Sequence, residues 1–279
     1  MQQIDGRFVY AASDLTNYLE CVYLTHLDRE VAQGLRAAPE RDDPSTELLA
    51  RKGDEHERRY LQALTQSGGE IAAFERPGHS LEAIEQAQRE SIAAMERGDR
   101  IIYQATFFDG EFLGHPDFLR RIETPCARWP WSYEVIDTKL AINPKPYFII
   151  QICNYSEQLA RITGTMPQFA SIVLGNGEER RYRLADYLPY YRRLKQRFLQ
   201  AQQDAGVLYP HKVAHCKTCK WSATCQAIRE NDDHLSQVAW IRRSQISRLN
   251  GAGILTVADL AAATDEQRPG GMTPQTFAK

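Results

Sequence analysis

The chain has 279 residues, 43% of them hydrophobic and 25% charged, with a mean hydropathy of −0.50. This composition excludes a disordered, collagen-like or helix-spanning membrane protein and allows one large domain, or a domain plus an appendage. The net charge of −2, from 34 Lys and Arg against 36 Asp and Glu, excludes a histone-like polycation but leaves room for a local basic face.

The first twenty residues carry Asp5, Asp14 and Glu20, unlike a signal peptide, and the longest dense apolar stretch, 147–153, is far shorter than the ~20 residues of a spanning helix. The expected compartment is therefore the cytoplasm. Thiols stay reduced there, so the six cysteines are read as thiols rather than disulfides. The first of them, Cys21, stands in YLECVYL near the start of the chain.

Residues 46–66 read as a helix containing Gly53, His56 and Glu57. By itself, a histidine on so charged a helix is an ordinary surface residue. Residues 101–107 and 111–122, joined by Asp109-Gly110, read as a β-hairpin, and after a Pro- and Trp-rich loop residues 133–141 read as a third strand. Alternation places Val135, Asp137 and Lys139 on one face and Ile136 and Leu140 on the other. A carboxylate on an otherwise apolar strand is costly unless it is paired or coordinated. Asp117 on the neighbouring strand supplies a second acid to the same spot, and two acids together invite a divalent cation. Oxygen donors suit Mg²⁺ or Mn²⁺.

Residues 145–165 have helical periodicity, and Gln151 and Tyr155 stand four apart on one face. Arg180, Arg181 and Arg183, then Arg192, Arg193, Lys195 and Arg197, form either a local basic face or a solvated flank. Next comes Cys216-x2-Cys219-x5-Cys225, a spacing that lets one loop wrap a single metal centre. Cys21, 195 positions upstream, is the expected fourth ligand, and both zinc and an iron–sulfur cluster accept four thiolates. Cys126 and Cys153 are given no ligand role; such thiols are often small buried hydrophobes. Residues 242–262 read as a helix, a Gly251-Ala252-Gly253 turn and a second helix. That element serves either as a phosphate-backbone contact or as a connector. The tail after Thr264 shows no element that finishes the domain. The division expected is 1–234 for the main domain and 235–279 for this helix-hairpin-helix-like piece.

In order, Asp117, Asp137-x-Lys139 and Gln151-x3-Tyr155 are similar to the motif series of RecB-like PD-(D/E)xK nucleases. The stretch GDEHE around His56 resembles the Gly-x-x-(x)-His or Glu helix that precedes the series. One N-terminal cysteine completing Cys-x2-Cys-x5-Cys resembles the iron–sulfur staple of AddB-type and CRISPR-adaptation nucleases of that family. The resemblance covers about residues 21–225. It implies an α/β fold with a restriction-endonuclease-like core, a mixed central sheet flanked by helices, and a helical region stapled by a four-cysteine cluster.

The same resemblance implies a metal-dependent nuclease acting on DNA, single-stranded or with free ends, and leaving 5′-phosphate and 3′-hydroxyl termini. His56, Asp117, Asp137 and the backbone carbonyl of Thr138 would be ligands to Mg²⁺ or Mn²⁺. Lys139 would orient the attacking water or hold the scissile phosphate, with Gln151 and Tyr155 in support. Cys21, Cys216, Cys219 and Cys225 would hold a 4Fe–4S cluster, with zinc as the alternative. The chain has no Walker-type phosphate loop, so a helicase partner would be a separate chain. The rival expectation is a catalytically idle nucleic-acid-binding module on the same scaffold.

Overall fold

The computed structural model describes the chain except residues 40–43, 69, 204, 205, 207, 278 and 279. It divides into two units, one formed by residues 1–19 and 25–206 and the other by 20–24 and 207–279. These differ from the sequence division at residue 234, because the unit with the C-terminal cysteines begins earlier and takes in the short segment around Cys21.

The chain begins with a small hairpin, β1 (Gln2–Ile4) and β2 (Arg7–Val9), and helix α1 (Ala12–Glu20); α2 (Val22–Ala32), which joins the first unit from Thr25 on, and α3 (Pro44–Gln66) follow. Next are β3 (Ile71–Ala73), α4 (Leu81–Arg97), β4 (Ile101–Tyr103), β5 (Phe107–Phe108), β6 (Leu113–Gly114), β7 (Phe118–Ile122) and β8 (Ser132–Thr138). Helix α5 (Pro146–Thr163), β9 (Phe169–Val173), β10 (Glu179–Arg183) and α6 (Leu188–Gln203) complete the first unit. The central sheet has six strands in the order β10-β9-β8-β7-β4-β3. It is mixed: β3 with β4 and β8 with β9 run parallel, and the other pairs antiparallel. Each parallel pair is joined through a helix, α4 or α5, as a parallel crossover requires. The fold is thus α/β, with a mixed sheet flanked by helices.

Strand β8 is buried along its whole length. On one face Val135 packs with α5, α6 and α4 residues such as Cys153, Leu159, Phe198 and Met95. On the other, Ile136 packs with Phe118 and Val173 beneath Tyr60, Leu61 and Leu64 of α3. Double coverage makes both acids of SYEVIDT costly unless paired: Glu134 is met by Arg181, which leaves Asp137 as the acid at the strand end. The bounds of α5 follow from sequence chemistry: Pro146 opens it and Gly164, at φ 71, closes it in the left-handed conformation.

Two details depart from the expected strands. The hairpin across Asp109-Gly110 is in two parts, because β5 and β6 pair only with each other while β4 and β7 pair within the main sheet. Strand β8 ends at Thr138 rather than 141, although the Lys139 amide still donates to Val173 O at 2.8 Å. The basic run is mostly neutralised: Arg180 pairs with Glu178, Arg181 with Glu134, Arg183 with Asp186, Arg192 with Glu157, and the buried Lys195 with Asp109 and Glu157. A broad basic face is therefore not what these residues form.

The second unit contains α7 (Ser222–Asn231), α8 (Arg243–Gly251), α9 (Val257–Ala262) and α10 (Pro274–Phe277). Gly253, at φ 80, makes the turn between α8 and α9, one position later than the middle of the expected Gly-Ala-Gly turn, since Gly251 still belongs to α8. The tail does finish a core. Met272 is buried with Leu235, Ile246, Leu249 and Ile254, and Phe277 packs against them. Among the described residues, no helix is long and apolar enough to cross a membrane.

Candidate active site

Where β8 ends, the sheet brings two acids face to face. The register pairs Phe118 with Ile136, so Asp117 comes opposite Asp137 one step further along. Asp137 is 0% exposed and Asp117 9%. Oδ2 of Asp117 accepts from both the backbone N and the hydroxyl of Thr138, each at 2.7 Å. Asp137 Oδ2 forms an ion pair with Lys139 Nζ, and Oδ1 of Asp137 is buried without a hydrogen-bond partner. An orphaned carboxylate oxygen beside a second acid is what a bound dication would satisfy.

The electrostatics follow from this crowding. Burial, and then the charge of Asp137, pushes Asp117 up to about 7. Burial also raises Asp137, with Lys139 opposing. For Lys139, burial works against the charge, but Asp137 and Asp117 outweigh it and hold the ammonium above its ordinary range. Phe148 lies with its ring centroid 5.6 Å from Nζ, a second restraint on the cation.

A consequence is a dependence of stability on pH in the metal-free protein. Unfolded, Asp117 ionises near 3.8; folded, it keeps its proton to about 7. The folded state therefore binds the extra proton, and this contribution is full below pH 4 and lost as pH rises to about 7. The expected loss is on the order of a few kcal/mol, read as a falling melting temperature in EDTA. Asp117→Asn should reduce that slope, leaving the part due to Asp137 and Glu57, which burial also raises. An equal slope in the variant would refute the assignment.

Asp117 and Lys139 face a cavity of about 310 Å³ whose lining also includes His56, Thr138, Gln151 and Tyr155. His56, on α3, is buried, and its Nε2 lies 3.3 Å from Val173 O. With a proton on Nε2 this is a hydrogen bond, which leaves Nδ1 its lone pair. Gln151 Nε2 donates to the Tyr155 hydroxyl at 2.8 Å, so the i,i+4 spacing is realised as a direct contact. Tyr155 is 7% exposed, and burial, then Asp137, holds its hydroxyl far above the ordinary phenol range. A Cβ on Gly114 would stand 2.8 Å from the Tyr155 ring, so glycine is what lets the ring in. The same holds for Gly175, where a Cβ would meet Leu140 O at 2.0 Å next to the lysine.

His56, Asp117, Thr138, Lys139, Gln151 and Tyr155 line this one cavity, with Asp137 paired to Lys139 beneath it, but among the described residues His56 and the two acids do not stand already gathered as a metal-ligand set. Tertiary structure adds others that motif reasoning passed over. Glu57, set aside in favour of His56, accepts from Gln104 Nε2, and burial, then Asp117, raises its carboxyl. His115, two residues before Asp117, is held down to about 4 by burial first and Arg76 second, and so stays neutral at physiological pH. Its position beside Asp117 in GHPDF was the only sequence signal. Arg76 and Gln104 gave none.

In the second unit, Cys21, Cys216 and Cys219 are partly exposed and Cys225 is buried; none of the six cysteines is in a disulfide. Burial first, and then the nearby thiols of Cys219, Cys21 and Cys216, pushes the Cys225 thiol up to about 11. The Val213 amide donates to Cys216 Sγ and the Trp221 amide to Cys219 Sγ, each at 3.4 Å. These donors suit a thiophilic centre. Even so, among the described residues no three His, Cys, Asp or Glu side chains stand already gathered as a metal-ligand set. Cys153 is the expected buried thiol, raised to about 12 by burial, then Glu157. Cys126 is only partly buried, its sulfur accepting from the Trp129 amide at 3.3 Å.

No protein-family model matches the chain, and a search of curated proteins finds no match.

Proposed function

We propose that this chain is a dication-dependent nuclease that hydrolyses DNA phosphodiester bonds, built on a restriction-endonuclease-like core of the RecB type. The observation that carries this reading is the buried pair Asp117 and Asp137 at the end of adjoining strands, with one carboxylate oxygen orphaned and the Lys139 ammonium held against the other. Asp117, Asp137 and His56, with the Thr138 carbonyl, would hold Mg²⁺ or Mn²⁺, which polarises the phosphate and lowers the pKa of bound water.

The chain's own groups divide the remaining work. Lys139 keeps its proton, since its neighbours hold it above the ordinary range. It therefore acts as a donor to the attacking water or a non-bridging phosphate oxygen, and not as the base. Asp137 and the Phe148 ring set the direction of that donor. Thr138 fixes one oxygen of Asp117 with two hydrogen bonds, which leaves the carboxylate little freedom to swing. Gln151 and Tyr155 form a joined polar wall on the α5 side, where they position the strand.

The four thiols of the second unit are proposed to carry a structural 4Fe–4S cluster, with zinc as the alternative occupant. DNA that is single-stranded or has free ends is the proposed substrate. The direct test is digestion of end-labelled linear and circular single strands with Mg²⁺ or Mn²⁺ and with EDTA. Dication-dependent degradation supports the reading, and sparing of the circles makes the activity end-dependent. Salt-sensitive binding without cleavage would instead establish the idle binding module, and neither binding nor cleavage would sink both.

A further inference from the structure

A carboxylate-rich site repels the polyanion it cuts, so a cation must hold the strand beside it. Lys139 is committed to Asp137, and the basic run on β10 and α6 is mostly spent on ion pairs. Arg76 is different. It is exposed and makes no ion pair among the described residues; its Nε lies 3.5 Å from Gln104 Oε1. Its charge reaches the site all the same, opposing protonation of Glu57 and of His115.

The cavity at the acids, of about 310 Å³, shares Arg76 with two neighbours of about 300 and 310 Å³. Arg76 is thus the residue where three hollows meet. The 300 Å³ hollow is lined by Arg58, Phe74, Arg76 and Tyr103 together with Glu57 and Asp54, so two aromatic rings and two guanidinium groups share its wall. That mixture suits a nucleotide, since a base stacks on the rings and a phosphate meets the cation.

Gln104 is what orients the guanidinium. It is 7% exposed and sits at φ 57, a left-handed conformation unusual for glutamine. Its amide donates to Asp117 O at 2.9 Å, and its side chain joins Glu57 Oε1 on one side and Arg76 on the other. The backbone turn that carries Gln104 is thereby tied to the strand end that carries Asp117, and Glu57 anchors the relay.

We infer that Arg76, aimed by Gln104 and Glu57, is the phosphate-binding element of a subsite for the nucleotide next to the scissile bond, with Phe74 and Tyr103 receiving its base. This rests on the nuclease reading above. The test is binding of a fluorescein-labelled oligothymidylate to the full chain in EDTA, by anisotropy across a salt series, so that cleavage plays no part. Arg76→Ala should weaken binding about tenfold and flatten the slope of log affinity against log salt by about 0.7. Arg76→Lys keeps the charge and should keep the slope while losing part of the affinity. Gln104→Gly, which suits the positive φ, should weaken binding with the slope retained. Because Arg76 is exposed, the alanine variant should melt like the parent, and a change of slope cannot come from lost structure. If the parent binds the oligomer and Arg76→Ala binds it with the same affinity and slope, the subsite is refuted while the nuclease reading stands. If the parent does not bind at all, the subsite is refuted, and the nuclease reading stands or falls on the dication-dependent digestion.

Discussion

Asp137→Ala is expected to lower dication-dependent cleavage by on the order of 10³-fold or more, and Lys139→Ala by about 10²–10³-fold. The two losses differ in cause. Without Asp137 the orphaned oxygen and its negative charge are gone, so the site loses a donor for the dication and Lys139 loses the partner that fixes its direction. Without Lys139 the acids remain, but the cation that would meet developing negative charge on the phosphate is missing. The substitutions should also differ in stability. Lys139→Ala leaves Asp137 buried with neither partner, a change that commonly costs about 3–5 kcal/mol unless the acid takes up a proton. Asp137→Ala removes the buried charge and leaves Lys139, which is 19% exposed, able to turn toward solvent. Melting curves in EDTA and single-turnover digestion with Mn²⁺ separate these effects. Parent-like turnover in either purified variant would defeat the assignment.

Cys219→Ser is the second large effect. The C-terminal unit has a small apolar centre of five buried side chains, Leu235, Ile246, Leu249, Ile254 and Met272. Units of this size commonly need a staple. A metal that binds four thiolates contributes its binding free energy to folding, about 10–16 kcal/mol for structural zinc. It also reverses the electrostatics at Cys225, whose thiol is pushed up to about 11 by burial and by its three sulfur neighbours. Protein purified without oxygen is therefore expected to contain iron and acid-labile sulfide and to absorb broadly in the visible. Cys219→Ser should lose both, together with protection of residues 207–279 against hydrogen exchange. Stoichiometric zinc without iron would overturn the choice of metal. A parent protein free of any metal, yet fully protected in that segment, would overturn the thiolate centre itself.

Residue chemistry that is local in the chain was readable directly. Helix α5 is announced by Pro146, Gly164 and the spacing of Gln151 and Tyr155, because a helix's ends and faces are set within a few residues. Asp137 stood out because alternation puts it on the same strand face as Val135, two positions before Lys139. Cys216, Cys219 and Cys225 were legible for the same reason, being close in sequence. What pairs with what across the chain was not. The interruption between β4 and β7 depends on β5 and β6 leaving the main sheet, and the place of Met272 depends on a core that no local pattern describes.

Tertiary structure alone decided that Glu57 and Gln104 lock together beside Asp117, and that Arg76 stands free of ion pairs among the described residues while most of the conspicuous arginines further on are neutralised. It also decided that Cys21 belongs with residues 207–279 rather than with the sheet nearest it in sequence. The physical reason is common to all of these. Side-chain charge and burial are properties of neighbours in space, and a sequence shows composition and period but not which distant carboxylate, carbonyl or thiol a fold brings within a few ångströms.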